Sequence, residues 1–165
     1  MKSIILFRHA KSDWNAIYSS DHQRPINRRG IKASKLMGLY LAKINEIPDL
    51  IISSSALRAL QTMENAISAG KWESKIKVEK EIYHASVSSL IDLIKKTKNI
   101  YSNICIIGHE PTFSYFLKST TDESIFKFLT ATMAKIVLKV ENWNKIDDKI
   151  SKLLWIKKPK ELALF

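Results

Sequence analysis

Arginine and histidine recur in this 165-residue chain where apolar runs give way to polar residues. Arg8-His9 follows the run Ser3 to Phe7, and His109 follows the apolar NICIIG. Arg58 comes shortly after Asp49-Leu50-Ile51-Ile52-Ser53, and Arg24 lies in the polar stretch DHQRPINRRG. Each guanidinium offers a planar fork of donors, so two or three facing one pocket make a clamp for a tetrahedral oxyanion. Imidazoles add a different capacity. A neutral ring can attack phosphorus, and a second can donate a hydrogen bond to the phosphoryl oxygens as charge develops. Such a site needs no metal or other cofactor, because the guanidiniums already neutralise the phosphoryl charge. The chain also offers no convincing aspartate-rich cluster for a metal, since Asp147-Asp148 falls in an expected hairpin turn far along from these residues.

Whether these groups meet depends on the elements that carry them. Short apolar runs bounded by polar residues suit buried strands. Strands are expected at 3–7, 49–53, 75–79, 103–107, 133–140 and 151–157, the first of them central and the last two a closing hairpin around ENWNKIDDK. Helices are expected over 31–44 with Leu36, Leu39, Tyr40 and Lys43 marking one side, and over 56–68 with Ala56, Leu60, Met63 and Ile67 inward. Ser53, Ser54 and Ser55 offer N-cap oxygens for the second helix. A third helix is expected from Leu90 to near Lys98, and a short fourth one with Pro111 in its first turn. Alternating strands and helices imply a single three-layer α/β/α domain over 1–165 with a mostly parallel central sheet. In such sheets the ligand crevice lies beyond the carboxyl ends of the strands, so Arg8-His9, Ser53 to Arg58 and Gly108-His109 share one edge. Arg24 hangs there from a long polar loop over 10–29, the kind of loop that carries function. Arg58 falls in the first turn of its helix, where a cation is unfavourable unless an anion joins it.

Composition narrows the class. Hydrophobic residues at 45% and charged ones at 26% are those of a soluble globular protein. No segment approaches the roughly 18 apolar residues of a membrane span, and the apolar run before Arg8 is too short for a signal peptide, so a cytoplasmic protein is expected. The lone Cys105 agrees, being unable to form an internal disulfide, and in its apolar run it is expected to be buried and inert. The net charge of +11 favours acidic partners. Seven cations from Arg8 to Lys35 against Asp13 and Asp21 surround the candidate site, whereas those from Lys135 to Lys160 read as solvated strand faces. Nucleic-acid binding lacks an aromatic and basic platform and is not expected. His22 is expected to be an exposed loop histidine, Trp14 to anchor the long loop or else cover the pocket, and Trp143 and Trp155 to belong to core or hairpin. Asn15 is a candidate for orienting the loop near phosphate.

Four segments, RHAKSDWN, RPINRRG, SSSALRALQT and IGHEP, together resemble the histidine phosphatase superfamily with its phosphoglycerate mutase-like fold. More closely they are similar to its small SixA-type phosphohistidine phosphatase branch, over residues 3 to about 140. Any one segment is weak, but four in order at these spacings are specific. The resemblance implies that His9 is the nucleophile, Arg8 and Arg58 bind phosphate, His109 is the second catalytic histidine, and Arg24 sits at the pocket rim. Ala10 stands where the superfamily has glycine, as is common in this branch, and Ser55 stands where a proline is usual.

Larger branches carry a glutamate as general acid in an insertion after the second helix. That region is short here, and its nearest carboxylate, Glu81, lacks the usual surroundings; His84, in EIYHAS, leads toward the same edge. Expelling an alkoxide needs a proton donor, whereas the P–N bond of phosphohistidine breaks once the leaving imidazole takes up a proton. The expected function is metal-independent hydrolysis of phosphohistidine, or a related phosphoramidate, by a monomer through a phosphohistidine enzyme intermediate. The partner would be a histidine-phosphorylated protein, attracted by the basic rim, or a small phosphorylated molecule. Two alternatives remain: a small-molecule phosphomonoesterase of the same superfamily, and a phosphoprotein-binding module without turnover.

Overall fold

Pairing of the first strand with two partners far away in sequence builds the centre of the molecule. In the computed structural model, which describes residues 1–123 and 127–162, β1 (Lys2–Arg8) lies between β4 (Asn103–Gly108) and β5 (Met133–Leu138). The other strands are β2 (Leu50–Ser54), β3 (Lys75–Glu79) and β6 (Ser151–Lys157), and the order is β3-β2-β4-β1-β5-β6. β1, β2, β3 and β4 run parallel; β5 and β6 form the antiparallel hairpin at one side. The expected 1–165 span thus includes 124–126 and 163–165, which lie outside the described residues.

Alternating side chains of β1 show why it is central. Ile4 and Leu6 enter the core under α3 (Val87–Lys95) and α4 (Thr112–Thr120), with Leu90, Ile94, Phe113 and Phe116. Ile5 and Phe7 enter the opposite core under α1 (Arg28–Lys43) and α2 (Leu57–Gly70), with Met37, Leu41, Ala59 and Met63. A strand covered on both faces must be apolar on both, which accounts for the uninterrupted run. Cys105 is buried in the second core, and desolvation pushes its thiol well above its usual range. Trp143 is fully buried in the first. No helix among the described residues is long and apolar enough to cross a membrane.

The helix faces differ from those expected. The buried side of α1 is Gly30, Ser34, Met37, Gly38 and Leu41, while Leu39 is exposed and Leu36 and Tyr40 only half-buried. At α2 Ala56 and Met63 are buried as expected, but Leu60 and Ile67 are only half-buried and the inner face is completed by Arg58, Ala59, Thr62 and Ala66. Size explains both shifts: the helices touch through small residues. A Cβ on Gly38 would lie 2.2 Å from the Ala66 carbonyl oxygen, and one on Gly70 would lie 2.3 Å from the Gly38 carbonyl oxygen. Ranking positions by apolar bulk misses a contact made by backbone. β3 differs too: the alternation of charge with Ile76 and Val78 suits a strand with one wet face, yet this edge strand is exposed along most of its length, both of those residues included.

Gly38→Ala should therefore lower unfolding free energy by about 1–3 kcal/mol, because backbone rather than a flexible side chain must give way. Urea unfolding of the variant beside the parent measures this, and equal midpoints would refute the close-contact account.

Candidate active site

Strand register brings the two histidines together. Arg8 pairs with Gly108 across β1 and β4, so the residues just beyond, His9 and His109, leave the sheet side by side. The His9 N–H donates to the Gly108 carbonyl at 3.0 Å, and the two rings stand 5.2 Å apart, centroid to centroid. β2 pairs with β4 up to Ser53 and Ile107, which delivers Ser54 and the start of α2 to the same edge. The loop over 10–29 then folds back. Asn27 N–H donates to the Lys11 carbonyl at 2.8 Å, Asp13 N–H to the Pro25 carbonyl at 2.8 Å, and Ser12 bridges Ile26. Gly30 is needed for this return, since a Cβ there would lie 2.5 Å from the Lys11 carbonyl oxygen.

The result is a cavity of about 800 Å³ lined by Arg8, His9, Arg24, Arg58 and His109 among others. His9, Arg24, Arg58 and His109 are each less than a tenth exposed. Asn15 is not brought in: it is exposed, outside the lining, and its N–H is tied to Asp13 Oδ1 at 3.0 Å within the solvent-facing part of the loop. His84 does line the cavity, held in a left-handed backbone conformation with φ 60°. Glu81 faces another cavity, beside Lys77, Glu79 and Lys96. Of the two roles open to Trp14, the structure shows the one over the pocket: it is 68% exposed, stacks on the Arg24 guanidinium at 3.7 Å and lines the cavity. His22 is half-buried rather than exposed, with Nε2 at 2.9 Å from Ser55 Oγ.

Hydrogen bonding sets the state of each ring. His9 Nδ1 lies 2.8 Å from the Ala10 carbonyl, which can only accept, so the ring proton sits on Nδ1 and Nε2 keeps its lone pair. His109 Nε2 lies 2.8 Å from Ser54 Oγ. That hydroxyl already accepts from Ala56 N–H at 3.2 Å, so its own proton is free for His109. The serine expected to cap α2 with its neighbours thus also orients a histidine, and the N-cap residue proper is Ala56, which has no side-chain oxygen. Burial pushes both imidazoles down to about 3, and the neighbouring guanidiniums act in the same direction.

Asp21, which the sequence reading passed over, organises the arginines. Its carboxylate pairs with Arg24 and with Arg58 Nη2 at 3.2 Å, accepts the Tyr83 hydroxyl at 2.5 Å, and its carbonyl accepts Arg58 Nη1 at 2.8 Å. The Tyr83 hydrogen bond and the two arginines hold the Asp21 carboxyl well below the usual carboxylate range. Arg8 Nη1 donates to the Phe128 carbonyl at 2.9 Å. Nε of Arg8, Arg24 and Arg58, and Nδ1 of His109, are buried without a partner among the described residues. Buried polar nitrogens are rarely left so, and here they concentrate around one cavity. Glu110 lines it as well, but Ser114 occupies both carboxylate oxygens through its N–H and its hydroxyl. Asp21 stands in DHQRP and Glu110 in IGHEP, so position in a motif was the available signal; for Tyr83 the signal was its place beside His84 in EIYHAS.

Among the described residues no three His, Cys, Asp or Glu side chains converge to hold a metal ion. The arrangement can bind a tetrahedral oxyanion between guanidiniums and offer it an uncharged nitrogen nucleophile.

Comparison with known proteins agrees with this fold. An uncharacterized protein of Mycobacterium tuberculosis is 31% identical over 108 residues, covering 65% of this chain and 65% of the relative. The chain is thus matched to just under two thirds of that relative's length. The structure named for SixA from Agrobacterium tumefaciens superposes with a TM-score of 0.81 at 25% identity, covering 96% of this chain and 98% of the other. The protein histidine phosphatase SixA complexed with tungstate gives 0.83 at 22%, covering 97% and 99%. Mycobacterial glucosyl-3-phosphoglycerate phosphatase shares the fold at 10% identity with a TM-score of 0.69, covering 93% and 97%. The profile of the histidine phosphatase superfamily (branch 1) matches residues 4–84, the segment that carries Arg8-His9, Arg24 and Arg58, and marks a domain of that superfamily in this chain.

Proposed function

We propose that this phosphatase hydrolyses phosphohistidine, or a closely related phosphoramidate, through a phosphorylated His9. The observation that carries the reading is the state of His9: Nδ1–H is tied to the Ala10 carbonyl, Nε2 keeps its lone pair, and burial keeps the ring neutral. In the proposed first step Nε2 attacks phosphorus, the P–N bond of the substrate breaks, and the leaving imidazole takes up a proton. Arg8, Arg58 and His109 bind the equatorial oxygens and stabilise the charge that develops on them. Arg24 holds the rim. Water then attacks phospho-His9, releasing phosphate and restoring the free ring.

Preference for a P–N bond follows from the carboxylates. Asp21 is held ionised by its partners, Ser114 occupies both Glu110 oxygens, and Glu81 faces a different cavity. None is placed to hand a proton to a leaving alkoxide, whereas an imidazole leaving group, with an unperturbed pKa of about 6.5, can take one from solvent. The cavity volume favours one competing reading, since about 800 Å³ would also admit a small phosphomonoester.

Phosphate release from a histidine-phosphorylated carrier protein, measured in EDTA, tests the proposal. Wild-type turnover should persist, and His9→Ala should lose at least ~10³-fold. Residual turnover at the parent rate would end the His9 mechanism, and loss in EDTA would end metal independence. Faster release from a sugar phosphate than from a phosphoramidate would favour the phosphomonoesterase, while binding without release from either would favour a phosphoprotein-binding module.

A second test is pH. Both histidines are neutral when folded down to about pH 3, but the unfolded chain binds protons on them below about 6.5. The unfolded state therefore binds more protons within that window, and stability falls as pH drops through it. The melting temperature should decline from pH 7 to pH 4, and a His9→Asn, His109→Gln variant should decline less steeply. Parallel declines would show that other groups dominate acid unfolding.

A further inference from the structure

The phosphoryl cavity does not end at its own rim. It shares Lys11 and Thr130 with a smaller cavity that includes Arg29, Pro159 and Lys160, and this in turn shares Leu129 and Lys158 with a third that includes Lys127 and Ile156. Linked by these shared residues, the three cavities make up a trough that runs from the loop after β1, past the first turn of α1, to the segments before β5 and after β6. Its walls carry Lys11, Arg29, Lys127, Lys158 and Lys160, none in an ion pair among the described residues. Among the described residues the single carboxylate of the two outer cavities, Glu161, is engaged by the Lys158 N–H at 2.9 Å and lies 3.8 Å from Lys157 Nζ. Leu129, Ile156 and Pro159 supply apolar surface among these cations.

We propose that this trough docks an acidic segment of the phosphorylated protein substrate, with its carboxylates on the cations and its apolar side chains on Leu129, Ile156 and Pro159. The inference rests on the reading of a protein-borne phosphohistidine and supplies what the phosphoryl cavity alone lacks, a means of choosing the carrier. Charge complementarity of this kind steers encounter and discriminates partners more than it adds raw affinity. An acidic polypeptide fits better than a nucleic acid, because single-stranded nucleic acid binds by stacking bases on aromatic rings and, among the described residues, the two outer cavities are lined mainly by cations and aliphatic side chains with no aromatic ring. The Lys135 to Lys160 group is thereby divided: Lys158 and Lys160 belong to the trough, while Lys135 is buried and paired with Glu46.

The test pairs turnover with binding. Arg29→Glu, Lys158→Glu and Lys160→Glu are combined in one variant, with the three glutamine replacements as a milder second. Turnover is measured on a histidine-phosphorylated acidic carrier and on phosphoramidate, and binding on a fluorescein-labelled glutamate-rich peptide bearing no phosphate. The charge-reversed variant should lose roughly tenfold in kcat/KM on the carrier while phosphoramidate turnover stays within about twofold, and the glutamine variant should fall between. Wild type should bind the peptide, more weakly as salt rises, and the charge-reversed variant should not. Equal losses on both substrates, unchanged carrier turnover, or no peptide binding by wild type would each overturn the proposal. So would tighter binding of a labelled oligonucleotide than of the peptide at physiological salt. A wild type inactive on carrier and phosphoramidate would instead sink the catalytic reading, while the peptide measurement would still decide the trough.

Discussion

Register between β1 and β4 is the constraint on which the rest depends. Because Arg8 lies opposite Gly108, the chain leaves both strands at the same level, and His9 and His109 follow from that without further choice. A slip of one residue would turn every side chain of β1 to the other core, exchanging Ile4 and Leu6 for Ile5 and Phe7. Both cores hold large side chains packed against different helices, so the slip is strongly resisted. Positional accuracy at the site is thus maintained by hydrophobic burial several residues away from it.

On that base the polar groups arrange one another. Ala10 selects the His9 tautomer through its carbonyl, while its N–H donates to Thr62 at 2.9 Å, which ties the loop after β1 to α2. Ser54 orients His109, and Asp21 spans Arg24, Arg58 and Tyr83. An anion of the protein's own thus sets the planes of two guanidiniums that lie within a buried, cationic cavity. Without such a partner, like charges at this density would repel and splay. The same carboxylate keeps its charge because those cations surround it, so clamp and counter-ion stabilise each other.

Neutral His9 and His109 and an ionised Asp21 are two consequences of one environment. Burial disfavours the imidazolium and nearby guanidiniums reinforce that, while they favour carboxylate over carboxylic acid. A site of this composition is strong in oxyanion binding and nucleophilicity and poor in acid. The leaving group must then supply its own basicity, which is the physical basis for the P–N substrate we propose.

Much of this was legible in the sequence because it depends on local pattern. Apolar runs ending in Arg8-His9, Ser53-Ser54 and Gly108-His109 mark the strands, and a parallel sheet sends their carboxyl ends to one edge; hence the α/β architecture and the five cavity residues could be read directly. What failed was whatever depends on a distant partner. The α1 face was misjudged because Gly38 packs by lacking a side chain, and Asn15 and Trp14 exchanged importance because the loop closes through Ser12 and Ile26. Asp21 and Tyr83 were missed because a carboxylate and a phenol 62 residues apart carry no mutual signal until the chain folds. By itself the sequence determined which residue types stand at which strand ends, since periodicity and burial are properties of neighbouring positions. Only the tertiary structure decided the His9 tautomer, the counter-ion of the arginines and the course of the basic trough. Those are distances of a few ångströms between groups that sequence separation leaves independent.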